Sequence, residues 1–226
     1  MKDSDSIAFL KCVPLFADLN DAALSALTRV SRISQVPKAQ FVFNEGDAGD
    51  AAYVVRSGAI AILLTTPDGR ELVINEMRPC DCFGELSLLT NAPRSASAVA
   101  RANSELLIIP RDAFLAELER EPRIMRHLLA TLAERLRVSS ERESALAFLD
   151  APARLARTLL QLDYANRALG YTTISQEELA QHIGITRQTT AKILGQWRRK
   201  GWLITGRGKL VVLDRNALRK TSDTTE

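Results

Sequence analysis

The stretch FGELSLLTNAPRSASA, Phe83 to Ala98, carries the residues of a cradle for a small anion. Gly84-Glu85-Leu86-Ser87 reads as the opening of a short helical turn, where free backbone N–H groups and the positive dipole end favour an anion. Arg94, fixed by Pro93, returns to the same spot, and its guanidinium offers a phosphate two parallel charge-assisted bonds that a lysine does not supply. Glu85 repels an anion unless its carboxylate accepts hydrogen bonds from hydroxyl groups on the same ligand. Phosphate plus hydroxyls describes a nucleotide. The plainer alternative is that Glu85 and Arg94 only pair with each other as an ion bridge.

Outward from this stretch the chain alternates brief β-prone runs with turns. Gln40 to Asn44, Tyr53 to Arg56, Ile60 to Thr66, Arg70 to Met77 and Glu105 to Ile109 read as strands, with Pro67-Asp68-Gly69 as a turn in which proline sets φ and glycine accepts a positive one. Many short strands with frequent turns imply a closed or sandwiched β unit. Ahead of it, Ile7 to Val30 has helical spacing, with Asp18 to Asp21 offering a cap.

After Pro110 the period becomes helical. Phe114 to Glu121 forms one helix, Pro122 interrupts, and Arg123 to Leu149 is too long for a surface helix of a small domain. Leu129, Leu132, Leu136, Ser139, Glu143 and Leu146 alternate three and four apart, the coiled-coil repeat, which predicts dimerisation through this helix. Ser139 and Ser140 interrupt that seam, and polar seam residues are kept for register or for a ligand. Asp150, with Pro152 in the next first turn, marks a hinge.

The last third holds a second motif. Ser175 and Glu178 form a capping box, Gly184 turns the chain, Thr186 caps a second helix and Gly201 ends it. Thr190, Ile193, Leu194 and Trp197 face inward, so Arg187, Gln188, Ala191 and Lys192 face out. Such a face enters a DNA major groove, where arginine pairs with guanine, glutamine with adenine and lysine with guanine or phosphate. Trp202 to Thr205, Gly206-Arg207-Gly208 and Lys209 to Leu213 add a hairpin wing, with Arg207 and Lys209 placed to touch phosphates.

Charge follows the same division. Residues 1–150 carry 17 Lys/Arg against 21 Asp/Glu, net −4, while residues 151–226 carry 13 against 6, net +7. The basic part suggests a polyanionic partner. Cys12, Cys80 and Cys82 are odd in number and lack a four-ligand spacing, so neither a disulfide framework nor a zinc site is implied. Cys80-Asp81-Cys82 reads either as a redox pair or as two thiols in a turn between strands. His127 and His182 stand far apart, and no metal is expected. No signal peptide or membrane-spanning run is visible, which points to the cytoplasm.

Phe83, Gly84, Glu85 and Leu86 followed by Pro93, Arg94, Ser95, Ala96 and Ser97 resemble the phosphate-binding cassette of cyclic-nucleotide-binding domains. With the long helix, hinge and helix-turn-helix in that order, nearly the whole chain resembles the CRP/FNR superfamily of bacterial transcription regulators. The resemblance implies an α+β fold: an N-terminal jelly-roll, the β-roll cyclic-nucleotide-binding domain, over residues 1–121, a dimerisation helix over 122–149 and a winged helix-turn-helix DNA-binding domain over 150–226.

It implies a homodimer and no enzyme. Cyclic AMP would be held by Gly84, Glu85, Leu86, Ser87, Arg94 and Ser95, with Ser139 reaching the base in its own subunit and Ser140 the base bound across the dimer. Double-stranded DNA with a pseudo-palindromic operator would be read by Ser175, Thr186, Arg187, Gln188, Thr189, Lys192, Arg207 and Lys209, with the two recognition helices roughly 34 Å apart. RNA polymerase is the further partner implied.

Two departures qualify this. The best-known receptor carries Arg-Glu and a further arginine where this chain has Arg187, Gln188 and Lys192, so the operator differs. Ser95 suits cyclic AMP, yet a hydroxyl there also favours a syn guanine, which makes cyclic GMP the rival ligand. Two readings from other classes are a redox or metal sensor built on the cysteines and a cyclic-nucleotide phosphodiesterase, for which no His/Asp constellation is present.

Overall fold

Leu106 to Ile109 form an unbroken apolar run, and a strand reads that way when both of its faces are covered. The structure, a computed structural model, describes residues 2–66, 71–206 and 208–223. It opens with α1 (Lys2–Cys12), a 3₁₀ turn over Pro14–Phe16 and α2 (Asp21–Val30). There follow β1 (Arg32–Val36), β2 (Phe41–Phe43), β3 (Ala51–Ser57), β4 (Ile60–Thr65), β5 (Glu71–Met77) and β6 (Cys82–Phe83). The series ends with α3 (Leu86–Thr90), β7 (Ser97–Ala100), β8 (Ser104–Pro110) and α4 (Arg111–Arg120).

The strands form two four-stranded sheets, β1-β8-β3-β6 and β2-β7-β4-β5. Leu106 and Ile108 point between the sheets, among Tyr53, Val55, Phe83, Ala98 and Ala100. Leu107 and Ile109 point the other way, and together with Ala52 and Val54 they lie under Leu10, Leu24, Leu27, Phe114 and Leu128. The antiparallel register that sets Ala52 opposite Ile109 and Val54 opposite Leu107 keeps both alternations in step. Burying one such side chain contributes roughly 1.5–3 kcal/mol. The central sheet thus has helices on one face and the second sheet on the other.

The long helix is α5 (Pro122–Phe148). Its expected seam is corrected at one position. Ile124 and Leu128 are buried in the helix-covered core and Leu132 packs against it, because residues four apart share a face. Leu129 and Leu136, on the other face, are 61% and 68% exposed.

Beyond it come α6 (Ala151–Ala165), β9 (Thr172–Thr173), α7 (Gln176–Ile183), α8 (Arg187–Arg199), β10 (Leu203–Gly206), β11 (Lys209–Val212) and α9 (Arg215–Ser222). Asp150 Oδ1 caps α6 by accepting from Ala153 N at 2.7 Å. Leu155, Leu159, Leu179, Ile193, Trp197, Leu203 and Leu218 form the core here. The sheet has the order β10-β11-β9.

The chain divides into two compact units, Met1–Thr65 with Val73–Leu136 and Thr66–Leu72 with Arg137–Glu226, so the division falls inside α5. The expected Pro67-Asp68-Gly69 turn and the wing tip at Arg207 lie outside the described residues. No helix among the described residues is long and apolar enough to cross a membrane.

Candidate functional site

Where the sequence places the anion cradle, backbone and guanidinium approach each other closely. Gly84 has φ +78, and a Cβ there would meet Arg94 Nη1 at 2.9 Å and Tyr53 Cδ2 at 3.1 Å, so only glycine fits. Glu85 occupies the N-cap position of α3, with Ser87 in its first turn. Arg94 Nη1 donates to Gly84 O at 2.5 Å and to Ser87 Oγ at 2.8 Å. Its Nη2 donates to Ala51 O at 2.8 Å and to Asp50 Oδ1 at 3.1 Å. The guanidinium lies over the Phe43 ring, 4.3 Å from the centroid, and near Tyr53, which stacks on Phe83. Aromatic faces favour a cation, which helps hold Arg94 at 3% exposure.

Glu85 is 2% exposed, and its partner is not Arg94. Arg135 Nη1, from α5, donates to Glu85 Oε1 at 2.7 Å, and Arg135 Nη2 donates to Cys82 O. The simple Glu85–Arg94 bridge is therefore not the arrangement found, since Arg94 is engaged by Asp50, Ala51, Gly84 and Ser87. Burial raises the Glu85 carboxyl above the ordinary carboxylate value, an effect that the Arg135 guanidinium opposes. Sequence reasoning missed Arg135 because it sits amid the charged residues Glu134 and Arg137, with nothing in the spacing to separate it from a solvated face.

Two buried polar atoms of this cluster have no partner, Glu85 Oε2 and Arg94 Nε. One is an acceptor and the other a donor. Buried polar atoms are nearly always satisfied, so such a pair calls for a ligand with a hydroxyl to give and an anionic oxygen to receive. The residues present fit a cyclic nucleotide in that respect.

The second candidate site lies on α8. Thr186 Oγ1 caps it by accepting from Thr189 N at 3.1 Å, and Ser175 with Glu178 makes a complete capping box on α7. Gly184, at φ +68, makes the turn between the two helices. Thr190, Ile193, Leu194 and Trp197 are buried, while Arg187, Gln188, Ala191 and Lys192 are exposed. Gly201, at φ +72, ends the helix, with Gly201 N donating to Arg198 O and Trp202 N to Trp197 O. A groove of about 540 Å³ brings Ser175, Arg187 and Lys209 together between the start of α7 and the wing.

Residues 33–121 match the cyclic nucleotide-binding domain family, and residues 153–221 match the Crp-like helix-turn-helix domain. A CRP-like cAMP-activated global transcriptional regulator of Mycobacterium tuberculosis is 36% identical over 195 residues, covering 84% of this chain and 87% of that protein. The chain belongs to the CRP/FNR family of transcription regulators.

A cyclic AMP receptor protein of Thermus thermophilus is likewise 36% identical, over 90% of this chain and 94% of that one. Among solved structures, the c-di-GMP responsive global regulator CLP of Xanthomonas campestris superposes with a TM-score of 0.78 at 26% identity, covering 85% of this chain and 99% of that one. This regulator is thus a DNA-binding protein with a cyclic-nucleotide-binding domain, not an enzyme.

The other expected residues of the regulator fall as follows. Ser95 is exposed beside Arg94, and Leu86 is 45% exposed. Ser139 and Ser140 are exposed on α5, and Ser139 Oγ donates to Glu143 Oε1 at 3.3 Å. Cys82 is buried, and desolvation raises its thiol well above the ordinary value. Desolvation and a hydrogen bond with Cys12 push Cys80 to about 11. The thiol beside Cys80 is therefore that of Cys12. Among the described residues no cluster of His, Cys, Asp and Glu could hold a metal ion.

Proposed function

We propose that this chain is a cyclic-AMP-responsive, homodimeric transcription regulator in which ligand binding reorients the helix-turn-helix units for operator binding. The observation that carries the reading is the unpartnered pair Glu85 Oε2 and Arg94 Nε in one buried cluster. A ribose 2′-hydroxyl donates to the first, and an anionic phosphate oxygen accepts from the second. Gly84, Leu86, Ser87 and Ser95 complete the phosphate site, and Ser139 and Ser140 hold the purine, the latter across the dimer.

Arg135 gives the pocket a mechanical link. It belongs to α5 and holds Glu85, so ribose binding at Glu85 bears directly on the dimer helix. The exposed apolar side chains Leu129, Leu136 and Leu146 form the dimer face. A ligand shifts such an equilibrium only by its differential affinity for the two states, typically about 1–3 kcal/mol. Arg187, Gln188 and Lys192 read base edges, and Ser175, Thr186, Thr189, Arg207 and Lys209 serve backbone phosphates, with RNA polymerase as the further partner.

Calorimetric titration of the purified protein with cyclic AMP and with cyclic GMP tests the reading. Cyclic AMP is expected to bind more tightly, and Arg94→Lys, which keeps the charge and loses the planar fork, is expected to abolish binding while the fold melts cooperatively. Tighter binding of cyclic GMP would transfer the sensor to that ligand. Binding of neither would end the sensor reading.

A further inference from the structure

Arg94 has five N–H bonds, and the protein itself takes four of them. Two from Nη1 go to Gly84 O and Ser87 Oγ, and two from Nη2 go to Ala51 O and Asp50 Oδ1. Nε is buried without a partner. Three of the four acceptors are fixed, being two main-chain carbonyls and a hydroxyl on a residue 4% exposed. The fourth is a carboxylate whose side chain is 76% exposed. Nε and Nη2 lie along one edge of the guanidinium, the edge that grips a phosphate with two parallel bonds. Of the two acceptors on Nη2, Asp50 alone is on an exposed side chain, so it is the one that a second phosphate oxygen can displace.

We propose that Asp50 is a charge filter: its carboxylate yields Nη2 to a singly charged cyclic phosphodiester and repels the second charge of a phosphomonoester. This chain then distinguishes cyclic nucleotides from their linear 5′-monophosphates. The inference rests on the cyclic-nucleotide reading above and names what excludes its commonest competitors.

The displaced carboxylate cannot go far, because its loop is fastened. Arg111 N donates to Asp50 O at 2.8 Å, and Arg111 Nη1 donates to Gly49 O at 3.3 Å. Gly49 presses on α3 so closely that a Cβ there would meet Ser87 Oγ at 2.5 Å. Asp50 therefore remains beside the Arg94 guanidinium once the ligand is in.

Charge balance then decides which ligand is accepted. The Glu85 charge is matched by Arg135, which leaves Arg94 as the cation for the ligand. A cyclic phosphodiester brings one negative charge. A phosphomonoester carries about −1.5 to −2 at pH 7, and the excess faces the Asp50 carboxylate. At solvent-exposed separations of a few ångströms, one such repulsion weakens binding about fivefold.

The test is calorimetric titration of the wild type and of Asp50→Asn with cyclic AMP and with 5′-AMP, with thermal melts of both proteins as a control for folding. In the variant, 5′-AMP is expected to gain about fivefold in affinity relative to cyclic AMP. An unchanged ratio overturns the filter. So does equal weakening of both ligands, which would make Asp50 merely a support for Arg94. Failure of the wild type to bind cyclic AMP is a separate result: it removes the sensor reading itself and this inference with it.

Discussion

Arg135 Nη1 stands 2.7 Å from Glu85 Oε1, so a side chain of the long helix supplies the counter-charge for a carboxylate buried in the β unit. Without it, Glu85 would be a buried charge with only Arg94 nearby. Removing one member of a buried pair typically costs about 3–5 kcal/mol. The Arg135 side chain is 24% exposed, so solvent screens part of the interaction. Arg135→Leu is expected to lower unfolding stability by about 2–3 kcal/mol in urea titration. Adding Glu85→Leu should restore part of that loss, because no unpaired charge then remains. If the double variant is as unstable as the sum of the two singles, the pair is not coupled.

The raised pKa of Glu85 makes its effect on stability run opposite to that of an ordinary ion-paired carboxylate. With the folded value above the unfolded one, the native state binds the proton more tightly. The Glu85 contribution is fully present below the ordinary value of 4.5 and is lost as pH rises through the folded value. Stability measured across that window should therefore slope downward with rising pH more steeply in the wild type than in Glu85→Gln. Nucleotide affinity should move the other way. It falls as acid protonates Glu85, because the protonated carboxyl no longer attracts Arg135 or accepts fully from a hydroxyl.

The cassette was legible in the sequence because its constraints are local. Gly84 needs φ > 0, Glu85 and Ser87 open one short helix, and Arg94 returns within the same loop. The helix-turn-helix was legible for the same reason, through the Ser175 box, Gly184, the Thr186 cap and the inward stripe ending at Trp197. Arg135 was not, since it reaches Glu85 from fifty residues away, and charged side chains on a helix carry no mark of which one turns inward. Asp50 was hidden in the same way, as one acid of a turn that also holds Glu45 and Asp47. Leu132 was misplaced because two apolar stripes overlap on α5, and only packing shows that Leu128 and Leu132 belong to the core stripe.

Base reading and phosphate contact should separate on mutation. Arg187→Ala and Lys192→Ala remove exposed groups from a helix whose core face is Thr190, Ile193 and Trp197, so folding should be unaffected. Each should cost about 1–3 kcal/mol at the operator base it reads and relax specificity there. Lys209→Ala, at the start of β11, should instead weaken binding to all sequences alike. It should also reduce the slope of log affinity against log salt by about one. Fluorescence anisotropy over a salt series, on operator and random duplexes, distinguishes the two patterns. Uniform loss in Arg187→Ala would move that residue to the phosphate class.

The exposed face of α5 makes the sharpest demand on assembly. Leu129 and Leu136 are 61% and 68% exposed, seven residues apart, while the adjacent stripe of Ile124 and Leu128 is already buried. A heptad spacing of leucines matches the seam of a paired helix, in which each leucine enters a hole on the facing chain. Leu136→Asp places a charge at the centre of that seam without touching the core stripe. Sedimentation velocity is expected to change from a dimer in the wild type to a monomer in the variant, with helical circular dichroism largely kept. Operator affinity should fall by several orders of magnitude, because a half-site bound singly lacks its linked partner. A variant that sediments as a dimer with wild-type operator affinity would place the subunit contact on another surface.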